Sequence, residues 1–419
     1  MTIPQGYKQT ELGIIPEDWE VKKICEGLAD VKSGKRLPSG YYVTNQHTKH
    51  PYIRVIDMYD GGVDTSNLMY VPDEAYKPIE KYRIFKDDIF ISVAGTLGIV
   101  GKIPEWLDGA NLTENANRLT NITCYRDYLL YYLRSPYIQD VISSEQTIGA
   151  QPKLALMRIR NFDIALPKDV AEQRAIAEAL SDVDGLIAAL DKKVAKKRLL
   201  KQGAMQQLLT GKKRLPGFTD KCVEKKLGDV GSLHNGYAFK SETYSQVGKY
   251  KVITIANVQN GRLDTNDCNK VSTIPSDMQK HQILKEGDIL ISMTGNVGRA
   301  CLVTTIDCLL NQRVGLFAIR DNSQCDESFI YTIINSKEFE TAMIDSGQGA
   351  AQSNIGKKDI EGYTFLLPND IKEQQAIATI LSDMDKEIAD LEAQRDKYRL
   401  LKSGMMQKLL TGQIRLKTK

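Results

Sequence analysis

LPKDVAEQRAIAEALSDVDGLIAALDKKVAKKRLLKQGAMQQLLTGKKRL, residues 166–215, recurs 201 positions later as LPNDIKEQQAIATILSDMDKEIADLEAQRDKYRLLKSGMMQKLLTGQIRL, residues 367–416, with more than half of the positions identical. The chain is a tandem duplication. The stretches before and between the copies are similar in length but have drifted apart, keeping faint echoes at an offset of about 200. One part of each half is kept alike and the other differs. Such a chain does one thing twice in the same way and another thing twice in two ways.

Each copy opens with a proline, then Asp169 or Asp370, and three residues on Glu172 or Glu373, the spacing of a capping box with aspartate as the cap. Each closes on Thr210-Gly211 or Thr411-Gly412, where glycine tolerates the left-handed conformation past a helix end. Between them Ile176, Leu180, Val183, Ile187, Leu190 and Val194 alternate steps of four and three, as do Ile377, Leu381, Met384, Ile388 and Leu391. That is a coiled-coil seam. At about 1.5 Å per residue each copy is a rod of roughly 60 Å, and a rod cannot bury its apolar stripe alone. The economical partner of each helix is the other, run antiparallel.

Gly203 and Gly404 fall at equivalent places inside the two helices, where glycine costs about 1 kcal/mol relative to alanine. A close crossing of backbones or a local kink would each account for them. The doublets Leu199-Leu200, Leu208-Leu209, Leu400-Leu401 and Leu409-Leu410 widen the apolar face beyond the needs of a two-helix seam. They suit a partner-docking surface, the helix pair itself, or contact with the flanking domains.

The diverged stretches read as mixed α and β, with short β-branched or aromatic runs such as YIRVIDM (52–58), DIFISVAG (88–95), YKVITIANV (250–258) and DILISMTG (288–295) between Gly and Asn turns. They also match each other: Asp88–Ser92 with Asp288–Ser292, Val63-Asp64-Thr65 with Leu263-Asp264-Thr265, and Gly95-x-x-Gly98 with Gly295-x-x-Gly298. The expected architecture is α/β in the mixed α+β sense: two similar globular domains, 1–167 and 213–368, with two long antiparallel coiled-coil helices, 168–212 and 369–412, a tail at 413–419, and an internal pseudo-twofold repeat.

Several loops mix basic, aromatic and amide residues of the kind that contact phosphates and base edges. In the first domain these are Ser33, Lys35 and Arg36 leading to Tyr41, with Thr96 in the Gly95–Gly98 turn and Gln151 and Lys153 before the helix. In the second they are Asn235, Tyr237 and Lys240, with Asn296 in the matching turn and Gln352 and Asn354 before the helix. The amides at 151, 352 and 354 could pair with adenine or cap backbone at the domain junction. Gly95-Thr96-Leu97-Gly98 follows a strand but lacks the dinucleotide fingerprint, and no GxxxxGK[ST] occurs, so a tight turn is the better reading.

The 419 residues, 42% hydrophobic, are enough for two or three domains with ordinary cores. With no apolar stretch of the signal-peptide or membrane-spanning kind, a cytoplasmic protein without a membrane partner is expected. Seven cysteines show no CxxC pair, which points to reduced thiols without metal. The net charge of +3 does not announce a nucleic-acid binder, so any such surface is local. The cluster Lys192, Lys193, Lys196, Lys197, Arg198 and Lys201 reads as a solvated helix face, because the second copy carries acids there. The four histidines sit in no metal or nucleophile pattern; Asp87-Asp88 reads as a turn and Asp182 with Asp184 as a helix face.

Two diverged α/β domains, each followed by LPxDxxEQxAIAxxLSDxD and RLLKxGxMQxLLTGxxRL, with the entry TELGIIPEDWEVKKI (10–24) and the DIxIS and GxxG echoes, resemble the specificity (S) subunit of type I restriction-modification systems over essentially the whole chain. The resemblance implies that each diverged segment is a target recognition domain reading one half of an asymmetric bipartite site in double-stranded DNA. It implies that the two like helices space these domains and dock two modification (M) subunits, adenine N6-methyltransferases. Catalytic residues and metal are expected to be absent from this chain. The resemblance further implies that S-adenosylmethionine belongs to the M partners, and ATP and magnesium to restriction (R) subunits, where present, that cleave DNA. The alternative is a non-catalytic coiled-coil scaffold joining protein modules, which predicts no salt-sensitive DNA binding.

Overall fold

A computed structural model describes residues 3–144, 153–347 and 354–416. Two long helices, Val170–Leu208 and Ile371–Leu409, occupy the repeated sequence with 39 residues each. By contact the chain forms two compact units, Met1–Asp191 with Ala393–Lys419, and Lys192–Glu392. Both divisions fall inside a long helix. Each unit therefore joins one diverged segment to the N-terminal half of the helix that follows it and the C-terminal half of the other helix.

Within each unit these halves pair antiparallel. In the first, Asp184 meets Lys402 at 2.7 Å, while Asp191 meets Arg395 at 3.4 Å and Arg399 at 3.3 Å. In the second, Lys197 meets Glu387 at 2.7 Å, Lys201 meets Asp385 at 2.5 Å, and Arg198 meets Glu392. Three members of the basic cluster are thus engaged across the helix pair rather than simply solvated, and acids of the second copy are their partners. The N-terminal turns of each seam go to the domain: Ile176 and Leu180 enter the main core of the first unit, Ile377 and Leu381 that of the second.

Each domain holds two four-stranded sheets. In the first unit one sheet is antiparallel, ordered Val100–Gly101, Ile89–Ser92, Ala116–Thr120, Asp30–Ser33; the other runs Met69–Tyr70, Pro51–Ile53, Ala110–Leu112, Arg83–Ile84, with its two middle strands parallel. The second unit repeats both orders with Ala300–Leu302, Ile289–Ser292, Val314–Ile319, Gly231–Asn235 and with Asn269–Val271, Tyr250–Ile253, Cys308–Leu310, Ile283–Leu284.

The survival of DIFIS and DILIS has a packing reason. Ile89 and Ile91 face a core shared with the domain's helices, while Phe90 faces a separate core; Ile289, Ile291 and Leu290 divide in the same way. A strand buried on both faces must be apolar throughout. The neighbouring runs are shorter than their sequences suggest, because the Asp57 carboxylate accepts from the Arg54 amide at 2.9 Å and the Asn257 carbonyl from the Thr254 amide at 2.9 Å, turning both chains at one place.

Asp169 and Asp370 cap their helices, each accepting from the backbone amide two residues on at 2.8 Å. The capping boxes are not completed. Glu172 and Glu373, 4% and 0% exposed, are instead held by guanidinium groups delivered from beyond the end of the other helix. Arg415 donates to both oxygens of Glu172, at 2.5 and 2.8 Å, and Arg214 to both of Glu373. Two charge-assisted bonds outweigh a single bond to a cap amide. The glutamines beside them join helix to domain: Gln173 accepts from the Tyr125 amide and Gln374 from the Asp326 amide, at 2.7 and 2.8 Å.

At the far ends Gly211 and Gly412 take positive φ, 65° and 69°, as the closing pattern requires. Gly203 and Gly404 sit in open space, since a Cβ at either would meet nothing within 4 Å, so no close backbone crossing explains them. Leu208 and Leu209 are buried in the second unit's core and Leu409 and Leu410 in the first's. Leu199 and Leu400 are 69% and 77% exposed, and Leu200 and Leu401 50% each.

Candidate nucleic-acid interface

One edge of each domain gathers most of the residues singled out as DNA contacts. In the first domain the strand ending at Ser33 crosses from one sheet to the other through Gly34, whose amide donates to Ala116 at 3.0 Å; the Lys35 amide follows to Leu112 at 2.8 Å. A Cβ on Gly34 would fall 2.0 Å from the Thr113 carbonyl oxygen, so only glycine permits the crossing. The Val93 amide donates to Asn115 at 2.7 Å, Ala94 bridges to Lys153, and the Leu154 amide returns to Val93 at 2.9 Å. Ser33, Lys35, Arg36 and Lys153 therefore border one short segment, residues 112–116, and the turn that carries Thr96 starts beside it, where the Ala94 amide donates to Asn115 at 3.3 Å.

The second domain repeats the device with other side chains. Gly236 crosses with its Cβ position 2.3 Å from the Asn311 carbonyl oxygen, and the Tyr237 amide donates to Leu310 at 2.8 Å, so Tyr237 stands where Lys35 stands. The Met293 amide donates to Arg313 at 3.0 Å, and the Thr294 hydroxyl donates to Asn354 Oδ1 at 3.0 Å. Asn235, Tyr237 and Asn354 thus gather around residues 311–313, with the turn that carries Asn296 following Thr294. Two residues lie off these edges. Tyr41 sits on the excursion that rejoins the fold at the Thr44–Tyr70 bridge, and Lys240 opens the short helical turn Ser241–Thr243. Gln151 and Gln352 lie outside the described residues.

The GxxG segments are tight turns held by a buried serine. Ser92 donates to the Thr96 carbonyl at 2.6 Å and accepts from the Ile99 amide at 2.8 Å; Ser292 does the same with Asn296 and Arg299. The four glycines have φ between 72° and 79°. This leaves Thr96 and Asn296 exposed at the tips.

The chemistry of the two edges differs. The first offers Lys35, 5.7 Å above the Tyr82 ring, and Arg36, whose side chain is 76% exposed and pairs with Glu114 at 3.1 Å. An exposed pair of that kind is weak and can be traded for a phosphate. The second offers amides, a phenol and histidines. Tyr237 donates to Asp277 at 2.9 Å, and that bond raises the phenol's pKa. His281 donates to the Asn235 carbonyl at 3.2 Å and lies 4.9 Å from the His234 ring. Burial, with His281 and Lys357 nearby, lowers the His234 pKa, which favours a neutral ring.

Sequence reasoning passed over one cluster altogether. Asp184, read there as part of a helix face, accepts from Tyr131 at 2.9 Å and from Arg134 at 3.3 Å, and Arg134 also holds Asp60. The retention of SDxD in both helices is a signal for it, but the partners are not repeated. Burial pushes the Cys124 and Cys308 thiols to about 11 and the Cys301 thiol to about 12, so none is a ready nucleophile near neutral pH. Among the described residues no group of three or more His, Cys, Asp or Glu is placed to hold a metal ion, and no helix is long and apolar enough to cross a membrane.

The model of the type I restriction modification DNA specificity domain matches the chain twice, over residues 16–197 and 219–398. The chain is 27% identical to the putative type I restriction enzyme MjaX specificity subunit of Methanocaldococcus jannaschii, covering 99% of this chain and 98% of that one. It is 25% identical to the EcoKI specificity subunit of Escherichia coli, covering 87% and 82%. Its fold is similar to a solved type I S subunit from M. genitalium, with a TM-score of 0.59 at 17% identity over 98% of both chains.

Proposed function

The chain belongs to the type I restriction-modification DNA specificity family, and from that premise we propose that each of its two domains reads one half of a split DNA sequence through the edge described above. The observation that carries this reading is the pairing of one backbone device, the glycine crossing beside a serine-held GxxG turn, with unlike side chains in the two domains. Like frameworks with unlike readers specify an asymmetric site. Phosphate contacts set register, and the mixed amide, guanidinium and hydroxyl groups discriminate base edges.

The paired helices present Leu199, Leu200, Leu400 and Leu401 to solvent at matching positions. Two equivalent exposed surfaces suit two identical partners, so in this reading they dock two modification subunits. Methyl transfer from S-adenosylmethionine then belongs to those partners, and ATP- and magnesium-dependent cleavage to restriction subunits where present. The direct test maps methylated adenines in DNA from cells expressing the chain with its modification partner. One bipartite, asymmetric motif is expected. A continuous motif, or two identical half-sites, would overturn the reading.

A further inference from the structure

The two units differ sharply where the domain meets the helix pair. In the first, Arg134 follows the domain helix Arg126–Leu133, and its side chain is 6% exposed. Its Nε and Nη2 donate to the two carboxylate oxygens of Asp60, on the hairpin Met58–Val63, at 2.8 and 2.7 Å. Its Nη1 reaches Asp184 of the first long helix at 3.3 Å, and the guanidinium lies 5.1 Å from the Tyr131 ring. Tyr131 donates to the same Asp184 oxygen at 2.9 Å, and Lys402 of the second long helix pairs with the other at 2.7 Å. Two elements of the domain are thus tied to both long helices through one cluster.

In the second unit only the helix-to-helix part is kept. Asp385 and Lys201 stand where Asp184 and Lys402 stand and pair at 2.5 Å. Arg134 is replaced by Asn335, Tyr131 by Thr332 and Asp60 by Asn260. Thr332 turns its hydroxyl to the Ser328 carbonyl of its own helix at 2.8 Å, and Asn260 reaches Glu340 at 3.5 Å. Clefts of about 320 and 300 Å³ lie at the two places, so the difference is in what spans them.

A half-buried ion cluster, with Arg134 enclosed and Asp60 largely exposed, is a poor source of stability compared with apolar packing, but its fork geometry fixes orientation. We propose that Arg134 is a positioning residue: it locks the first recognition domain to the paired helices and so fixes where the first half-site must lie along the DNA, while the second domain is held without this lock. The proposal rests on the half-site reading above. Moving a half-site by one base pair displaces it by about 3.4 Å along the duplex, and a locked domain cannot follow.

The test uses the complex of the full chain with its modification subunits. Methylation is compared on duplexes carrying the mapped site with its native spacer and with one base pair removed or added. The wild type strongly prefers the native spacer. Arg134→Ala reduces that preference by about tenfold, Arg134→Lys restores part of it by keeping one contact, and Asn335→Ala leaves it unchanged. Lower overall methylation by Arg134→Ala with spacer preference intact makes the residue merely structural and overturns the proposal. Should that variant not fold, Asp60→Asn removes the bidentate charge pair while sparing Asp184, and an unchanged preference there overturns it equally. A wild-type complex that methylates no bipartite site refutes the half-site reading, and the lock with it, which is a different result from an unchanged preference.

Discussion

Arg415 holds two carboxylates at once, Glu172 at 2.5 and 2.8 Å and Asp18 at 2.9 and 3.0 Å. Glu172 also accepts from the Trp19 indole at 3.3 Å. Arg415→Ala strands a buried glutamate, and because the arginine itself is 40% exposed the cost is about 2 kcal/mol, below that of a fully buried pair. Urea unfolding at neutral pH measures it. The hydrogen bond from Arg415 also holds the Asp18 carboxyl below the usual carboxylate range. A depressed carboxylate stabilises the fold above its ordinary pKa of about 4 and loses that contribution as pH falls. The variant should therefore lose less stability than the wild type between about pH 5 and pH 3; an equal loss removes Asp18 from the account. Sequence spacing marked Glu172 and Glu373 as special but assigned them to caps, because their true partners, Arg415 and Arg214, lie far along the chain, past the end of the other long helix.

At the scale of the helix the apolar doublets separate into two kinds. Leu208, Leu209, Leu409 and Leu410 are at most 9% exposed, so replacing any one with alanine should cost about 2–4 kcal/mol in thermal or chemical unfolding of the isolated chain. Polar replacements at Leu199, Leu200, Leu400 and Leu401 should leave that stability within about 0.5 kcal/mol and weaken binding of modification subunits in titration. Unchanged binding would remove these four from the docking surface. Periodicity identified the helices, their seam and their closing glycines, but it could not sort the leucines, since both kinds follow the same spacing and only the packed domains distinguish them. Gly203 and Gly404 carry no steric requirement, so Gly→Ala at either should stabilise the isolated chain by about 0.5–1 kcal/mol. A destabilised variant would point to a backbone need that the open surroundings do not show.

For the whole molecule, the duplication made the two-domain plan legible, and echoes such as DIFIS with DILIS located the strand that divides the two cores. The reading edges were only partly legible. Lys35 and Tyr237 are equivalent, but their offset of 202 differs from that of the surrounding echoes and their side chains share no chemistry. The Arg134 cluster was hidden for the same reason: Asp60, Arg134 and Asp184 are far apart in sequence, and of the three only Asp184 has a like counterpart, Asp385, in the second copy. Drift erased the signal at the residues that make the domains different.

Each compact unit is completed by the C-terminal half of the other repeat's helix. A chain of residues 1–215 carries both complementary halves on one rod, and a rod cannot fold back on itself to join them. Such a fragment should fold by pairing with a second copy, and sedimentation should report twice its mass; a folded monomer would contradict the exchange. That dimer would carry two identical readers, and the word it recognises would be a palindrome. Fusing two unlike repeats into one polypeptide is what frees the protein from reading the same syllable twice.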